Sequence, residues 1–401
     1  MKRSFVLLLT PALAALVWVM LGPDSGIAQQ GEDRLPGARP TIEAIHYPSL
    51  QAAIDALPPE GGMVVLPAGT FEIKEPLKLH SEDVSIQGSG TATHIKNIGG
   101  EKSPAFVIEP KDYDTNPRAR IWRIHLSNFR ITGHEQSGHG IAARGVNELF
   151  IEGVTVSEHG GDGILLENCY EDPRICNSLI TYNKRTGLNL IGCHDIVVAA
   201  NQFEENQDAL HCIDGYNLCM TGNCLDDHLG NGVVIENTYG SVVSGNMIEE
   251  CQGTGIILDR DCYGIALSAN VIAHEFADGI DLRDAHGITV SANSFPIVQR
   301  HALIIGPASA HIAVTGNSFA DSTIGPGEER RLEGDRQAGG VVLDGTRDIA
   351  LSGNVFSGVR PKAVEVRGEV QRVTFDGNVL VDVESDHEQL IDSELGELVT
   401  P

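Results

Sequence analysis

An asparagine that follows a small residue and precedes a large apolar one by two positions returns along this chain at nearly constant intervals. It pairs Asn201 with Phe203, Asn223 with Leu225, Asn246 with Ile248 and Asn270 with Ile272, then Asn293 with Phe295, Asn317 with Phe319, Asn354 with Phe356 and Asn378 with Leu380. The spacings are 22, 23, 24, 23, 24, 37 and 24 residues. A fixed period of this size marks a stacked repeat, in which each unit buries its apolar face only against its neighbours. Within each period Val and Ile fall in short alternating runs, too short for helices, which predicts three strands per coil joined by tight turns. Leucine-rich repeats share the period but need regularly placed leucines, and those are absent. A solenoid grows by adding coils, so the 401-residue length does not argue for two domains.

A second marker fixes which side chains face inward. Gly140-Ile141, Gly163-Ile164, Gly187-Leu188, Gly232-Val233, Gly255-Ile256 and Gly279-Ile280 each open a strand. Alternation then places Ile164, Leu188, Val233, Ile256 and Ile280 inside, with the residues two further on, and turns the intervening positions outward. The asparagines are read as architecture: stacked turn amides that hydrogen-bond one another and the backbone. The 37-residue interval holds one extra loop, Asp321 to Arg336, expected as a surface lid or interface arm. After Asn378 the repeat fades into an acidic tail, Glu384 to Glu397, either disordered or closing the last coil. The expected domain plan is residues 1–28 as leader, 29–44 as a flexible segment, 45–380 as the solenoid and 381–401 as the tail.

Lys2 and Arg3, an apolar run from Phe5 to Leu21, and Gly26-Ile27-Ala28 have the layout of a secretory signal peptide. The alternative is an uncleaved membrane anchor, since the run approaches spanning length. The charge of −27 becomes one unit more negative without the leader and excludes nucleic acid and anionic membrane as partners. An acidic glycan needs a local basic cluster or a divalent cation to overcome the same repulsion. All eight cysteines lie between Cys169 and Cys262, and an exported chain with an even, clustered set is expected to form disulfides there. Their connectivity is open, and no CxxC pair favours a metal.

From Tyr47 the chain reads Tyr-Pro-Ser-Leu-Gln-Ala-Ala-Ile-Asp-Ala-Leu-Pro-Pro-Glu-Gly-Gly-Met-Val-Val-Leu-Pro-Ala-Gly-Thr-Phe. This resembles the entry segment of the pectate lyase-like superfamily of right-handed parallel β-helices. The resemblance implies an all-β solenoid closed at its N-terminal end by a capping helix, here Leu50 to Leu57. It covers nearly all of the chain after the leader. The superfamily includes polysaccharide lyases, polygalacturonases and rhamnogalacturonases, uronate epimerases, inulin fructotransferases, phage tailspikes and noncatalytic adhesins, so it implies a carbohydrate ligand rather than one reaction. Ala277-Asp278-Gly279-Ile280-Asp281 is similar to the Thr-Asp-Gly-x-Asp of polygalacturonase-like hydrolases. The match departs one coil later, where Arg300-His301-Ala302 stands in place of a paired Asp-Asp. Gly138-His139-Gly140 copies their Gly-His-Gly but lies upstream, with no Arg-Ile-Lys after it, and the Asp-Pro-His of uronate epimerases is absent.

Enzymes of this architecture use the outer face of the strand after the Gly marker. The position before that marker runs His139, Asp162, Thr186, Asp208, Asn231, Thr254, Asp278, His301, a polar stripe whose plain reading is a row of turn caps. Three groupings along it could carry chemistry. In the first, Lys184 or His211 is the base of a β-elimination, Arg185 stabilises the developing enolate, and Asp162 with Asp208 are calcium ligands. The plain alternative pairs Lys184 and Arg185 with Glu158, Glu204 and Glu205. In the second, Asp259, Asp278, Asp281, Arg283 and His301 suit glycoside hydrolysis by two carboxylates. In the third, Asp227 and His228 beside Glu204 and Glu205 are metal ligands or solvated turn surface.

The outward strand positions also include Leu165, Val234, Ile257, Ile304 and Val342, an apolar row that needs a cover. A loop, or a homotrimer burying this face, would supply it. The sequence therefore points to a secreted or cell-envelope enzyme acting on polysaccharide as lyase or glycoside hydrolase. Its rival is a noncatalytic surface solenoid that binds glycan or protein.

Overall fold

Three strands per coil are present, each feeding a different sheet. The computed structural model describes residues 35–275, 277–320 and 338–391. The leader, the loop Asp321 to Arg336 and the tail beyond residue 391 lie outside the described residues. From Pro40 onward the chain forms one compact unit, separate from the segment through Arg39.

Among the described residues the strands form three sheets of 16, 13 and 12 strands, designated I, II and III. Every pairing is parallel: one coil runs Ile164–Glu167 in sheet III, Arg174–Cys176 in sheet I and Leu179–Thr181 in sheet II, then returns to sheet III with Leu188–Ile191. The fold is a right-handed parallel β-helix, as the period and the entry segment imply.

The core follows from the alternation. Ile164, Leu188, Leu210, Val233, Ile256 and Ile280 stand in register on successive coils of sheet III and are fully buried. Each such burial contributes roughly 1.5–3 kcal/mol, which offsets the ordering cost of a short strand. Phe295, Phe319 and Phe356 stack inside sheet II with ring centroids 5.0 and 4.7 Å apart, close to the strand spacing that parallel pairing dictates.

The asparagine ladder sits between sheets I and II and works as the sequence suggests. Asn246 Oδ1 accepts the backbone N–H and the amide of Asn223 at 3.0 and 2.9 Å. Its own amide donates to Met220 O at 3.2 Å and to Asn270 Oδ1 at 3.0 Å. The pattern repeats from Asn201 to Asn378.

The ends differ from the expected boundaries. Thr41–Glu43, placed in the flexible segment, pairs with Gly62–Val65 and opens sheet I. The helix here termed α1 spans Leu50–Asp55, with Ser49 Oγ accepting the Ala52 N–H at 3.1 Å. It buries Leu50, Ala53 and Ile54, and Gln51 exchanges hydrogen bonds with the Lys78 backbone at 2.8 and 3.1 Å. The first strand of sheet III thus has a partner on its open edge. At the other end, Asp386 accepts Lys362 Nζ at 2.8 Å and Leu390 is buried, so this part of the acidic tail packs on the last coil.

The expected disulfides are not formed, and all eight cysteines are free. The buried Cys169 and Cys193 thiols instead donate to backbone carbonyls of their own and the preceding coil. Cys219 and Cys224 lie on different sheets. No helix among the described residues is long and apolar enough to cross a membrane.

Candidate functional site

The outer face of sheet III carries two registered rows. One runs Leu165, Asn189, His211, Val234, Ile257, Asp281, Ile304, Val342, Glu365. The other includes Glu167, Ile191, Ile213, Glu236 and Asp259. In the first row Ile257 and Val342 are only 3% and 1% exposed within this chain, and Leu165, Val234 and Ile304 are half-buried. The apolar row therefore asks for less cover from a second copy than its sequence suggests.

The stripe before the glycine marker is a column of caps. Asp162 Oδ1 accepts the Thr186 N–H at 3.1 Å, Asn231 Oδ1 accepts the Thr254 N–H at 3.0 Å, and Asp278 Oδ1 accepts the His301 N–H at 3.2 Å. Asp208 accepts the Asn231 N–H in the same way.

The first predicted grouping does not converge. Lys184 Nζ pairs with Glu135 at 3.0 Å and Arg185 Nε lies 3.6 Å from Asp162, both side chains being more than half exposed. His211 Nε2 instead meets Glu236 at 2.9 Å, one coil further on. Asp162 and Asp208 are wrong for a shared calcium ion, because Thr186 stands between them in the column and two coil spacings come to roughly 9.6 Å. Burial pushes the Asp162 carboxyl up, but hydrogen bonds from His139 and Asn189 and the charges of His139 and Arg185 outweigh it, holding it below the ordinary carboxylate range.

The second grouping divides into two sets in contact, and the set around His301 is larger than the sequence showed. Asp278, buried on the turn into Ile280–Leu282, accepts Arg300 Nη2 at 2.6 Å and lies 2.9 Å from His301 Nδ1. On the far side of the same ring, Arg367 Nη2 is 3.2 Å from Nε2, and Glu365 is 3.9 Å away. A guanidinium can only donate, so Nε2 accepts from Arg367, and Nδ1 carries the proton given to Asp278. Glu365 accepts Arg367 Nε at 2.7 Å; that bond, opposed by burial, and the charges of Arg367, His301 and Lys362 hold its carboxyl down. Next along the face, Arg283 donates to Asp281 at 2.7 Å and reaches Asp259 at 3.8 Å. The arrangement offers an imidazole of fixed tautomer whose Nε2 lone pair is held by Arg367 and comes free when that guanidinium turns to another anion. That is the equipment of a general base acting beside a substrate carboxylate.

Glu365 and Arg367 were not legible as site residues, because they reach His301 across the irregular 37-residue interval. The alternation in Val364-Glu365-Val366-Arg367 was the available signal. Two further columns were missed. His159, Asn183, Asn206, His228, Cys251 and Glu275 form a buried polar row at the turn from sheet II to sheet III, with His159 N–H on Asn183, Asn183 N–H on Asn206, and Asn206 N–H on His228 Nδ1. His228 is thereby an interior residue and not the surface ligand that the third grouping expected. Tyr170, His194, Tyr216 and Tyr239 form a row of ring contacts along the turn from sheet III to sheet I, at centroid distances of 4.5, 4.7 and 5.5 Å, tilted, edge-on and stacked in turn.

Residues that could hold a cation lie on sheet II. Carboxylate and imidazole atoms of Glu249, Glu250 and His274, and carboxylate atoms of Asp226, Asp227 and Glu250, gather within 4.8 Å of one another.

A family defined by coils of this kind is what the sequence also matches. The profile described as a right-handed β-helix region covers residues 115–262 and 174–319, and the chain belongs to that family, within the pectate lyase-like superfamily. Among solved structures, the A-module of mannuronan C-5 epimerase AlgE6 from Azotobacter vinelandii is similar, with a TM-score of 0.63 at 19% identity over 82% of this chain and 94% of that one. The exopolygalacturonase of Thermotoga maritima gives 0.50 at 12% identity, over 88% and 93%. The catalytic unit of a GH87 α-1,3-glucanase from Streptomyces thermodiastaticus gives 0.50 at 17%, over 88% and 70%. At such identities these likenesses show the fold. No curated protein matches the sequence.

Proposed function

We propose that this protein is an exported polysaccharide-active enzyme that acts on uronate-containing chains by removing the proton at C5. The observation that carries the reading is the Asp278–His301–Arg367 arrangement on the outer face of sheet III. Arg367 turns from His301 Nε2 to the uronate carboxylate, where charge develops, and so frees Nε2 to take the C5 proton, while Asp278 stabilises the resulting imidazolium. Expulsion of the C4 oxygen then gives a lyase, whereas return of a proton to the opposite face gives an epimerase. Similar structures named for mannuronan epimerisation and polygalacturonate cleavage support polysaccharide as the substrate class. The leader-like N-terminus supports export.

The test is incubation of the full chain with a panel of uronate and neutral glycans in deuterium oxide. Deuterium at C5 or an unsaturated product is expected. New reducing ends without either would replace this mechanism with hydrolysis at Asp259 and Asp281. Silence across the panel would favour the second reading, a noncatalytic glycan-binding solenoid. That reading draws on Asp162, Asp208 and Asp278 all capping the next coil, a role that requires no chemistry.

A further inference from the structure

A cavity of about 540 Å³ opens where α1 meets the first coils, far from His301. Lys78, His80, Lys111 and Arg120 line it, with Asp55 and Glu82. On a chain of net charge −27 this is a local reversal of sign. The lysine ammonium groups have no carboxylate partner among the described residues, and both lysines are exposed. Arg120 is held ready: its Nη1 donates to Pro117 O and Ala119 O at 2.9 and 2.8 Å, and its guanidinium lies 4.8 Å from the centre of the Tyr170 ring. Lys78, Lys111 and Arg120 outnumber the lining carboxylates Asp55 and Glu82, which leaves the cations in excess.

The cavity lies on the same face as the candidate site. Register links Lys78 through Val107, Ala142, Leu165, Asn189, His211, Val234 and Ile257 to Asp281. Between Lys78 and Asp281 that outward row contains no carboxylate, and Asp281 at its end accepts Arg283 Nε at 2.7 Å, so an anionic chain lying along the row meets no unpaired negative charge within it. Eight register steps reach Asp281 and a ninth reaches the strand that carries His301, which at the usual strand spacing amounts to about 43 Å.

We propose that this cavity is a remote subsite that takes a carboxylate of an acidic glycan and anchors a chain extended along sheet III toward His301. The inference rests on the uronate reading above. Charged groups of this kind contribute attraction and register more than catalysis, so the subsite acts on the affinity of long chains alone.

The experiment measures binding by titration calorimetry and turnover for the full chain and the double variant Lys78→Ala/Lys111→Ala. The probes are an oligo-uronate long enough to span about 43 Å, a trisaccharide of the same sugar, and the carboxyl-reduced form of the long chain. The double variant is expected to bind the long oligo-uronate about tenfold or more weakly. Turnover of the trisaccharide is expected to stay unchanged, and the reduced chain to bind both proteins alike. Equal affinity of both proteins for the long oligo-uronate overturns the subsite, whatever the activity. An equal loss for the reduced chain overturns carboxylate recognition. A wild-type protein that turns over neither uronate, yet loses affinity in the variant, keeps the subsite and overturns the C5 mechanism.

Discussion

Replacing Asn246 by alanine tests whether the asparagine ladder is what holds successive coils in register. The side chain is buried and makes four hydrogen bonds, two accepted from Asn223 and one donated each to Met220 O and Asn270. Alanine leaves the Asn223 N–H and one Asn223 amide hydrogen unpartnered in the interior, while the Met220 carbonyl keeps its place in the strand ladder. Each stranded group costs about 1–3 kcal/mol, and partial relaxation reduces the total, so a loss of about 2–4 kcal/mol is expected. A control at Thr221, on the exposed face of sheet I, should change stability by less than about 0.5 kcal/mol. Urea unfolding followed by circular dichroism reads the difference, and hydrogen exchange at the Asn223 amide locates it. Since neighbouring coils unfold as coupled units, protection should fall most in the coils holding Asn223 and Asn270. A cost below about 1 kcal/mol, with undiminished protection at Asn223, would mean that packing alone sets the register.

The buried polar row predicts two opposite pH responses. Burial, opposed by contacts with Cys251 and aided by the charges of Glu249 and Glu250, pushes the Glu275 carboxyl well above 4.5, so the folded state holds its proton longer than the unfolded state. Its stabilising contribution is complete below about pH 4.5 and declines by about 1.4 kcal/mol per unit as pH rises toward the folded value, so Glu275→Gln should gain stability over wild type with rising pH in denaturation curves. No gain at neutral pH would place an ionised carboxylate there. His159 and His228 are pushed down to about 3 and about 4, chiefly by burial, so their contribution is present above pH 6.5 and lost as pH falls through those values. His228→Asn, which inserts the residue found at Asn183 and Asn206, should remove roughly 3 kcal/mol of that acid sensitivity between pH 6.5 and 4; an unaltered acid limb would count against it. Lys184→Ala, which removes only an exposed pair with Glu135, should leave turnover of uronate chains unchanged and stability within about 0.5 kcal/mol. Arg185→Ala, which takes a cation from the buried Asp162, should cost more stability but leave turnover unchanged; a large loss of turnover in either would return the first grouping to the active site.

The solenoid was legible because one residue type has one job per coil. Asn201 to Asn378 recur at the turn where only a side-chain amide both accepts an N–H and donates to its neighbours. The glycine marker likewise gave the inward row from Ile164 to Ile280. The candidate site was half legible: Asp278, Asp281, Arg283 and His301 follow one another within two coils, but Glu365 and Arg367 reach His301 only through registration across an irregular interval. Lys184 and Arg185 misled because adjacent cations on an acidic chain look like a site. Side-chain direction, which sends them to Glu135 and Asp162, is not written in spacing. The polar row from His159 to Glu275 was hidden for a related reason. Its residues differ in kind from coil to coil and share only burial, which sequence does not display.

The central claim is that His301, oriented by Asp278 and flanked by Arg367, removes a proton from a uronate sugar. Deuterium incorporation at C5, followed by nuclear magnetic resonance on uronate polysaccharide in deuterium oxide, measures that step directly for wild type and His301→Ala. The account predicts C5 deuterium, or the unsaturated product of elimination in its place, from the wild type and a fall of about 100-fold or more in the variant, with its circular dichroism unchanged. Equal yields of C5 deuterium and of unsaturated product from both proteins would contradict it.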